Sequence, residues 1–408
     1  MYTELEKIYY RDGQDIYETE YQARFNSPGS IKLQFNIQGN PAFFVHSEEV
    51  VKLGMNIHKL DKHVRCLSSL MPPIAIEQFY KKCLMDEVIL TNQIEGVHTT
   101  RREISQILYK LQTESRKKAE RDRYDGLVKQ YLRLQEGKDI PLSTCQDVRN
   151  LYDELILDDV LKEDPRNAPD GQMFRKDGAS VIAPTQKEIH KGLYPETAIQ
   201  TAMEQALHFL NNEDVALLYR ACIFHYMLEY IHPFYDGNGR LGRFIMSYAL
   251  TKELDPLIAC RLSYTITENV SEYYESFKRC NKPKNLGDLT PFLLMMLRMV
   301  ETSMERLHDA LLERSRRLVR YYEILMPIVN GENKSMGDMY AFLLQGSLYS
   351  EEGVSMNDLK EASGKSENTI RSYLRKVEER GLLKICKGTV LGYELNLDAL
   401  EQLENNKG

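Results

Sequence analysis

The sequence predicts a mainly α protein: a helical core carrying one small β-hairpin, followed by a C-terminal winged helix-turn-helix unit. Three observations point there. Apolar residues recur at helical spacing over 80–94 and 217–231. The pair Asp177-Gly178 between short apolar runs is a hairpin signal. A polar stretch over 327–337, containing Asn330-Gly331, separates the core from a last segment with its own pattern.

Taken in order, the first 50 residues interleave aromatic and β-branched residues with Gly and Pro, as in 31–37, and read as a few extended segments. From about residue 76 the pattern turns helical. Tyr80, Leu84, Val88, Thr91 and Ile94 share one face, and Gly96 supplies the cap. More helices are expected to about 162, then the hairpin over 173–183. Helices resume near 197. Leu217, Arg220, Ala221, Phe224, Leu228 and Ile231 form a stripe that must stop at Pro233, because the residue before a proline is pushed out of the α region. A long helix is expected over about 288–325. Residues 338–397 read as a helix, a short helix from Met356, a turn at Gly364, a helix over 366–380 and two apolar runs around Lys387-Gly388 that pair as a wing. The expected division is 1–75, a core over 76–326, and 338–408.

Composition bounds the function. The 408 residues exceed one typical core, and 42% hydrophobic content suffices to pack two or three. The net charge of -7 carries no global basic footprint for nucleic acid. Over 351–397 eight basic residues face eight acidic ones, so contact with DNA, contact with protein and dimerisation all stay open for the last unit. No apolar stretch approaches the roughly 20 residues that span a bilayer, so no membrane is expected. The start has no signal-peptide pattern, and the seven scattered cysteines never form C-x-x-C; a reducing cytoplasm fits both.

The chemistry concentrates in the run His232-Pro-Phe-Tyr-Asp-Gly-Asn-Gly-Arg-Leu-Gly-Arg243. Asn238 is a good N-cap for a new helix. Asp236-Gly-Asn-Gly239 lets backbone N–H groups converge at that helix's N-terminus, which makes an anion site. Arg240 and Arg243 lie three apart on the first turn, where like charges repel at the positive end of the dipole unless anions bind; polyphosphate is the natural candidate. Asp236 is a hard ligand suited to one Mg²⁺ shared with a nucleotide. His232 is placed to take a proton from an attacking group. His225, one face with His232, reads as a hydrogen-bonded core histidine before a metal ligand.

The run resembles the Fic-family motif H-P-F-x-D-G-N-G-R-x-x-R at every specified position. The resemblance implies a helical Fic core over about 75–325 and a protein adenylyltransferase that uses ATP and Mg²⁺. It implies that His232 deprotonates a Ser, Thr or Tyr hydroxyl of a target, or of the chain itself, and that Asp236 holds the metal. Phe234, Gly237, Asn238, Gly239, Arg240 and Arg243 would form the nucleotide-binding set, with Phe234 anchoring the loop. Relatives that phosphorylate replace the second loop glycine; Gly239 is kept here.

Thr91-Asn-Gln-Ile-Glu-Gly96 resembles the family's inhibitory motif, which implies an ion pair of Glu95 with Arg243 in the place of the γ-phosphate. Tyr273 to Asn281 resembles the adenine-contacting segment, with Tyr274 against the base and Asn281 at its edge; Cys280 and three extra residues before Gly287-Asp288 depart from the pattern. The 173–183 hairpin resembles the flap that docks the target segment. Two other readings stand beside AMP transfer: removal of AMP from a modified protein, with Glu95 positioning water, and a transcription regulator whose core senses nucleotide.

Overall fold

The computed structural model describes residues 2–113, 123–182, 188–388 and 390–405. The chain is mainly helical, with three small antiparallel sheets among the described residues. It divides into two compact units. One comprises Met1–Asp61, Glu87–Thr99 and Arg116–Glu305; the other comprises Lys62–Asp86, Thr100–Ser115 and Arg306–Gly408.

In the first unit the N-terminus is more helical than the sequence suggests. Helices Leu5–Asp12 and Gln14–Phe25 precede the first strand. They form because Leu5, Ile8 and Tyr17 gather into one small buried cluster, a tertiary gain that local propensity does not register. The extended reading holds for the hairpin Ser30–Ile37 with Asn40–Val45. Its two-residue turn places both Gln38 and Gly39 at positive φ, the backbone that matches strand twist in tight hairpins.

Helix Pro73–Ile94 carries the expected stripe: Leu84, Val88 and Thr91 have no exposed surface, and Gly96 adopts φ 76° just past its end. Helix Leu217–Ile231 is buried on nearly every side, stops at His232, and is followed by helix Asn238–Thr251. These two helices and the last turns of 87–94 frame the motif.

The hairpin differs from expectation. Asp177-Gly178 is a bend, and the strands are Ser180–Ile182 and Glu188–Lys191. The turn of that hairpin, and Ala183 of the expected one, lie outside the described residues. The physical reason is the carboxylate of Glu196. It accepts from the N–H groups of Gln172, Met173 and Phe174 at 3.0, 2.7 and 3.0 Å, which fixes 172–174 as a loop.

In the second unit the expected break at 327–337 is shorter. The long helix runs Thr290–Val329 with Pro327 inside its last turn, where only one ladder bond is lost, and the next helix begins at Lys334. After helix Lys334–Tyr349 come strand Val354–Ser355, helices Met356–Ser363 and Glu367–Glu379, and strands Leu383–Lys387 and Leu391–Leu395. The last strand pairs with both others in one antiparallel sheet. Lys81 is buried against this unit's Asp358 at 3.1 Å.

Candidate active site

The motif closes a loop between two helices, and the loop is built from inside. His232 ends the first helix in the left-handed region, φ 52° and ψ 63°, with its N–H on the Leu228 carbonyl at 2.8 Å. Phe234 then turns inward. Its ring has no exposed surface, stacks on Tyr152 at 3.6 Å between centroids, and meets Phe174 edge-on at 5.5 Å. Its side chain is therefore an anchor in the core, outside the cleft.

Asn238 has a different role from the cap expected of it. The helix N-cap is Gly237 at φ 82°. The Asn238 side chain reaches back: Oδ1 accepts from Phe234 N–H at 3.0 Å and Nδ2 donates to Phe234 C=O at 2.8 Å. Both ends of the amide are spent closing the loop on itself. Gly237 suits its positive φ, and a Cβ there would press on Ile156, Tyr152 and Val160 at 3.2–3.4 Å; Tyr152 also donates to the Asp236 carbonyl at 3.1 Å.

The two arginines part company, which resolves their expected repulsion. Arg243 is buried and faces the helix 73–94: Nε donates to Thr91 Oγ1 at 2.8 Å, and Nη2 donates to Thr91 C=O at 2.9 Å and to Glu95 Oε1 at 2.8 Å. Arg240 is also buried, but turns toward Asp236, 3.6 Å away, and Asn92, at 3.5 Å. A Cβ at Gly239 would collide with Glu95 Oε1 and sit 2.9 Å from Arg243 Nη1, so this glycine is where loop, carboxylate and guanidinium converge.

A cleft of about 240 Å³ opens over these groups. Glu95, His232, Asp236, Gly237, Asn238, Gly239, Arg243, Tyr274 and Asn281 all border it; Phe234 and Arg240 do not. Tyr274 donates to the Ile94 carbonyl at 3.3 Å, and Asn281 Oδ1 accepts from the Tyr226 hydroxyl. His225 has no exposed surface and bonds Tyr273 at 2.7 Å, which makes it a core residue.

Electrostatics set the protonation states. Burial, with the charge of Arg175 and the neighbouring His190, lowers His232 to about 3, so its imidazole is neutral and able to accept a proton. Burial raises the Asp236 carboxyl. One carboxylate, bonded to the Gly237 N–H at 2.5 Å and edged by Arg240, fits a divalent ion that arrives with a nucleotide and takes its other ligands from phosphate and water. Among the described residues no group of three His, Cys, Asp or Glu side chains gathers for a resident ion.

Several site residues carry no sequence signal. Glu229 lines the cleft with Oε2 3.9 Å from His232 Nδ1, and its carboxyl is pushed up to about 8 by burial and by Glu95. Glu87, one turn before Thr91, is buried on Ser263 and Tyr131 and pushed up to about 7 by burial. His190 stacks on Tyr230 at 4.3 Å. Only the three-dimensional arrangement brings them together.

Residues 142–250 match the Fic/DOC family. A protein adenylyltransferase fic-1 of Caenorhabditis elegans is 29% identical over 168 residues, 40% of this chain and 30% of that protein. A protein adenylyltransferase Fic of Nematostella vectensis is 34% identical over 85 residues, 21% of this chain and 18% of that one. The matches thus span less than a third of these relatives' length. The crystal structure of a Fic family protein from Desulfovibrio desulfuricans G20 superposes with a TM-score of 0.51 at 20% identity, covering 86% of this chain and 96% of that one, which is a likeness of fold. Through residues 142–250 the chain carries a domain of the Fic/DOC family.

Proposed function

We propose that this protein transfers AMP from ATP to a hydroxyl of a protein, and that Glu95 restrains the reaction. The observation that carries the reading is the Glu95–Arg243 pair at 2.8 Å, set in the same cleft as a neutral His232 and a glycine-bordered helix N-terminus. A lone His-Pro or Asp-Gly-Asn-Gly would read as a turn; a neutral base, an anion cradle and a paired guanidinium in one cleft are more than turn chemistry.

In this reading the nucleotide's phosphates lie along Gly237 to Gly239, with backbone N–H groups and the helix dipole facing them. Arg243 binds the terminal phosphate once Glu95 has left. His232 accepts the hydroxyl proton as the target oxygen bonds to the α-phosphorus; the bond from that phosphorus to the bridging oxygen breaks, and pyrophosphate leaves. Mg²⁺ bound with the nucleotide at Asp236 supplies charge neutralisation on the phosphates. Tyr274 and Asn281 border the space left for adenine, and the edge of strand Glu188–Lys191 is open to a target segment.

The test is to incubate the protein and candidate targets with Mg²⁺ and ATP labelled at the α or the γ position. Protein-bound label from α-ATP alone is the expected result. Label from γ-ATP, or none from either with the brake removed, overturns the reading.

A further inference from the structure

Arg175 is a guanidinium with no exposed surface, and its bonds among the described residues go to carbonyl oxygens. Nε donates to His232 C=O at 2.8 Å; Nη2 donates to Leu193 C=O at 2.8 Å and to Ile231 C=O at 3.5 Å; Nη1 donates to Asp177 C=O. The backbone adds Arg175 N–H on Pro233 C=O at 3.2 Å and Leu193 N–H on Ile231 C=O at 3.0 Å. One side chain thus joins three segments: the 171–178 loop, the chain leaving strand Glu188–Lys191, and the last residues of helix Leu217–Ile231.

Those last residues need such a partner. A helix ends with carbonyls that have no intrahelical donor, and here the residue after the helix is a β-carbon-bearing histidine in the left-handed region, an arrangement that persists only where the surroundings over-determine it. The direction of the His232 side chain follows from that backbone. A fixed positive charge beside the ring also opposes its protonation.

We propose that Arg175 is a positioning residue for His232, fixing the direction of the imidazole through the carbonyls that end its helix and placing its charge beside the ring. The loop that bears Arg175 runs into the strand at the cleft's edge, so the geometry of that edge and the readiness of the base are set by one group. Gly192 belongs to the same device. A Cβ there would collide with Arg175 Nη2 and lie 2.9 Å from His232 Cβ. The other titratable groups facing the imidazole are His190, Glu229 and Tyr235 nearby and Asp236, Glu95, Arg243, Tyr273 and Tyr274 around the cleft, of which Tyr235 also interacts with Arg175.

The proposal rests on His232 as the base, so its test uses a readout independent of AMP transfer. Histidine ¹³C resonances of the full chain are followed with pH, His232 being assigned by its loss in His232→Ala. In the parent the ring stays neutral across the folded range. In Arg175→Gln its midpoint should rise toward the ordinary imidazole value, burial remaining the larger cause that lowers it, whereas Arg175→Lys, which keeps charge but not the planar fork, should leave the midpoint at the parent's. Where transfer is measured, Arg175→Lys should lower kcat by about tenfold with little change in the KM for ATP. If Arg175→Gln does not fold, Arg175→Met, which keeps an unbranched stem without the charge, should give the same titration. A His232 midpoint no higher than the parent's in whichever uncharged variant folds, Arg175→Gln or Arg175→Met, overturns the proposal. A raised midpoint without AMP transfer, even when Glu95→Gly is added, supports it and overturns the transfer reading alone.

Discussion

Glu95, one residue past the helix that carries Thr91, meets the same edge of the Arg243 guanidinium as Thr91 does: Glu95 Oε1 accepts from Nη2 at 2.8 Å and Thr91 Oγ1 accepts from Nε at 2.8 Å. The division matters for release. When the carboxylate is withdrawn, Thr91 still holds the arginine in place through its hydroxyl and its carbonyl, which lies 2.9 Å from Nη2. The arginine is then free for an anion without losing its position, which is the requirement for a brake that can be lifted.

Asn238→Ala tests whether the loop is pinned from within. The substitution leaves the buried Phe234 N–H and C=O without their partner. We expect a loss of about 2–3 kcal/mol in stability and a fall in transfer of at least about tenfold, because the phosphate cradle loses its fixed shape. Denaturant melts and labelling rates check the two effects; a variant as stable and as active as the parent would remove Asn238 from this role.

The motif was legible because its residues are contiguous and each type answers a local demand. His232 had to leave the helix before Pro233, and Gly237 had to supply a left-handed turn. The side chains' partners were less legible. Asn238 reads as a cap but bonds backward to Phe234, and Arg240 reads as a phosphate ligand but turns toward Asn92 and Asp236. Arg175 and Glu196 act on backbone groups brought by distant segments, and no periodicity records such contacts. For the same reason the hairpin expected at Asp177-Gly178 gives way to the later strands Ser180–Ile182 and Glu188–Lys191: Glu196 claims the N–H groups of 172–174, and the chain at Asp177 bends without forming a turn. The helices at 5–25 exist through the packing of Leu5, Ile8 and Tyr17, which composition does not announce.

Glu229 should make stability fall as pH rises. Its carboxyl is pushed up to about 8, first by burial and then by the charge of Glu95, whereas in the unfolded chain it titrates at about 4.3. Between those values the folded protein holds a proton that the unfolded chain has released, so the group's contribution declines from about pH 5 to pH 8. Glu229→Gln has no such titration. Its melting temperature relative to the parent should therefore rise across that window, by about 1–2 °C for each kcal/mol involved. A difference that stays flat from pH 5 to 8 would show that Glu229 is already ionised in the folded protein.

Asp236→Ala should leave the fold intact and abolish the dependence of transfer on Mg²⁺, with a fall in rate of at least about tenfold. The carboxylate borders the cleft and is a single hard ligand at the loop. Titrating Mg²⁺ against labelling rate in parent and variant checks this; an unchanged Mg²⁺ midpoint would put the metal on other residues.

The most direct measurement compares parent, Glu95→Gly and Glu95→Gly with His232→Ala, each incubated with α-labelled ATP and Mg²⁺. Each ~1.4 kcal/mol of transition-state binding released by the freed Arg243 is worth about tenfold in rate. Glu95→Gly should therefore label itself or a target at least about tenfold faster than the parent, and adding His232→Ala should abolish the labelling while ATP is still bound. Arg243→Ala should show no such activation, since it loses the phosphate contact with the brake. Equal labelling by parent and Glu95→Gly, or labelling that survives the loss of His232, would contradict a restrained AMP transferase.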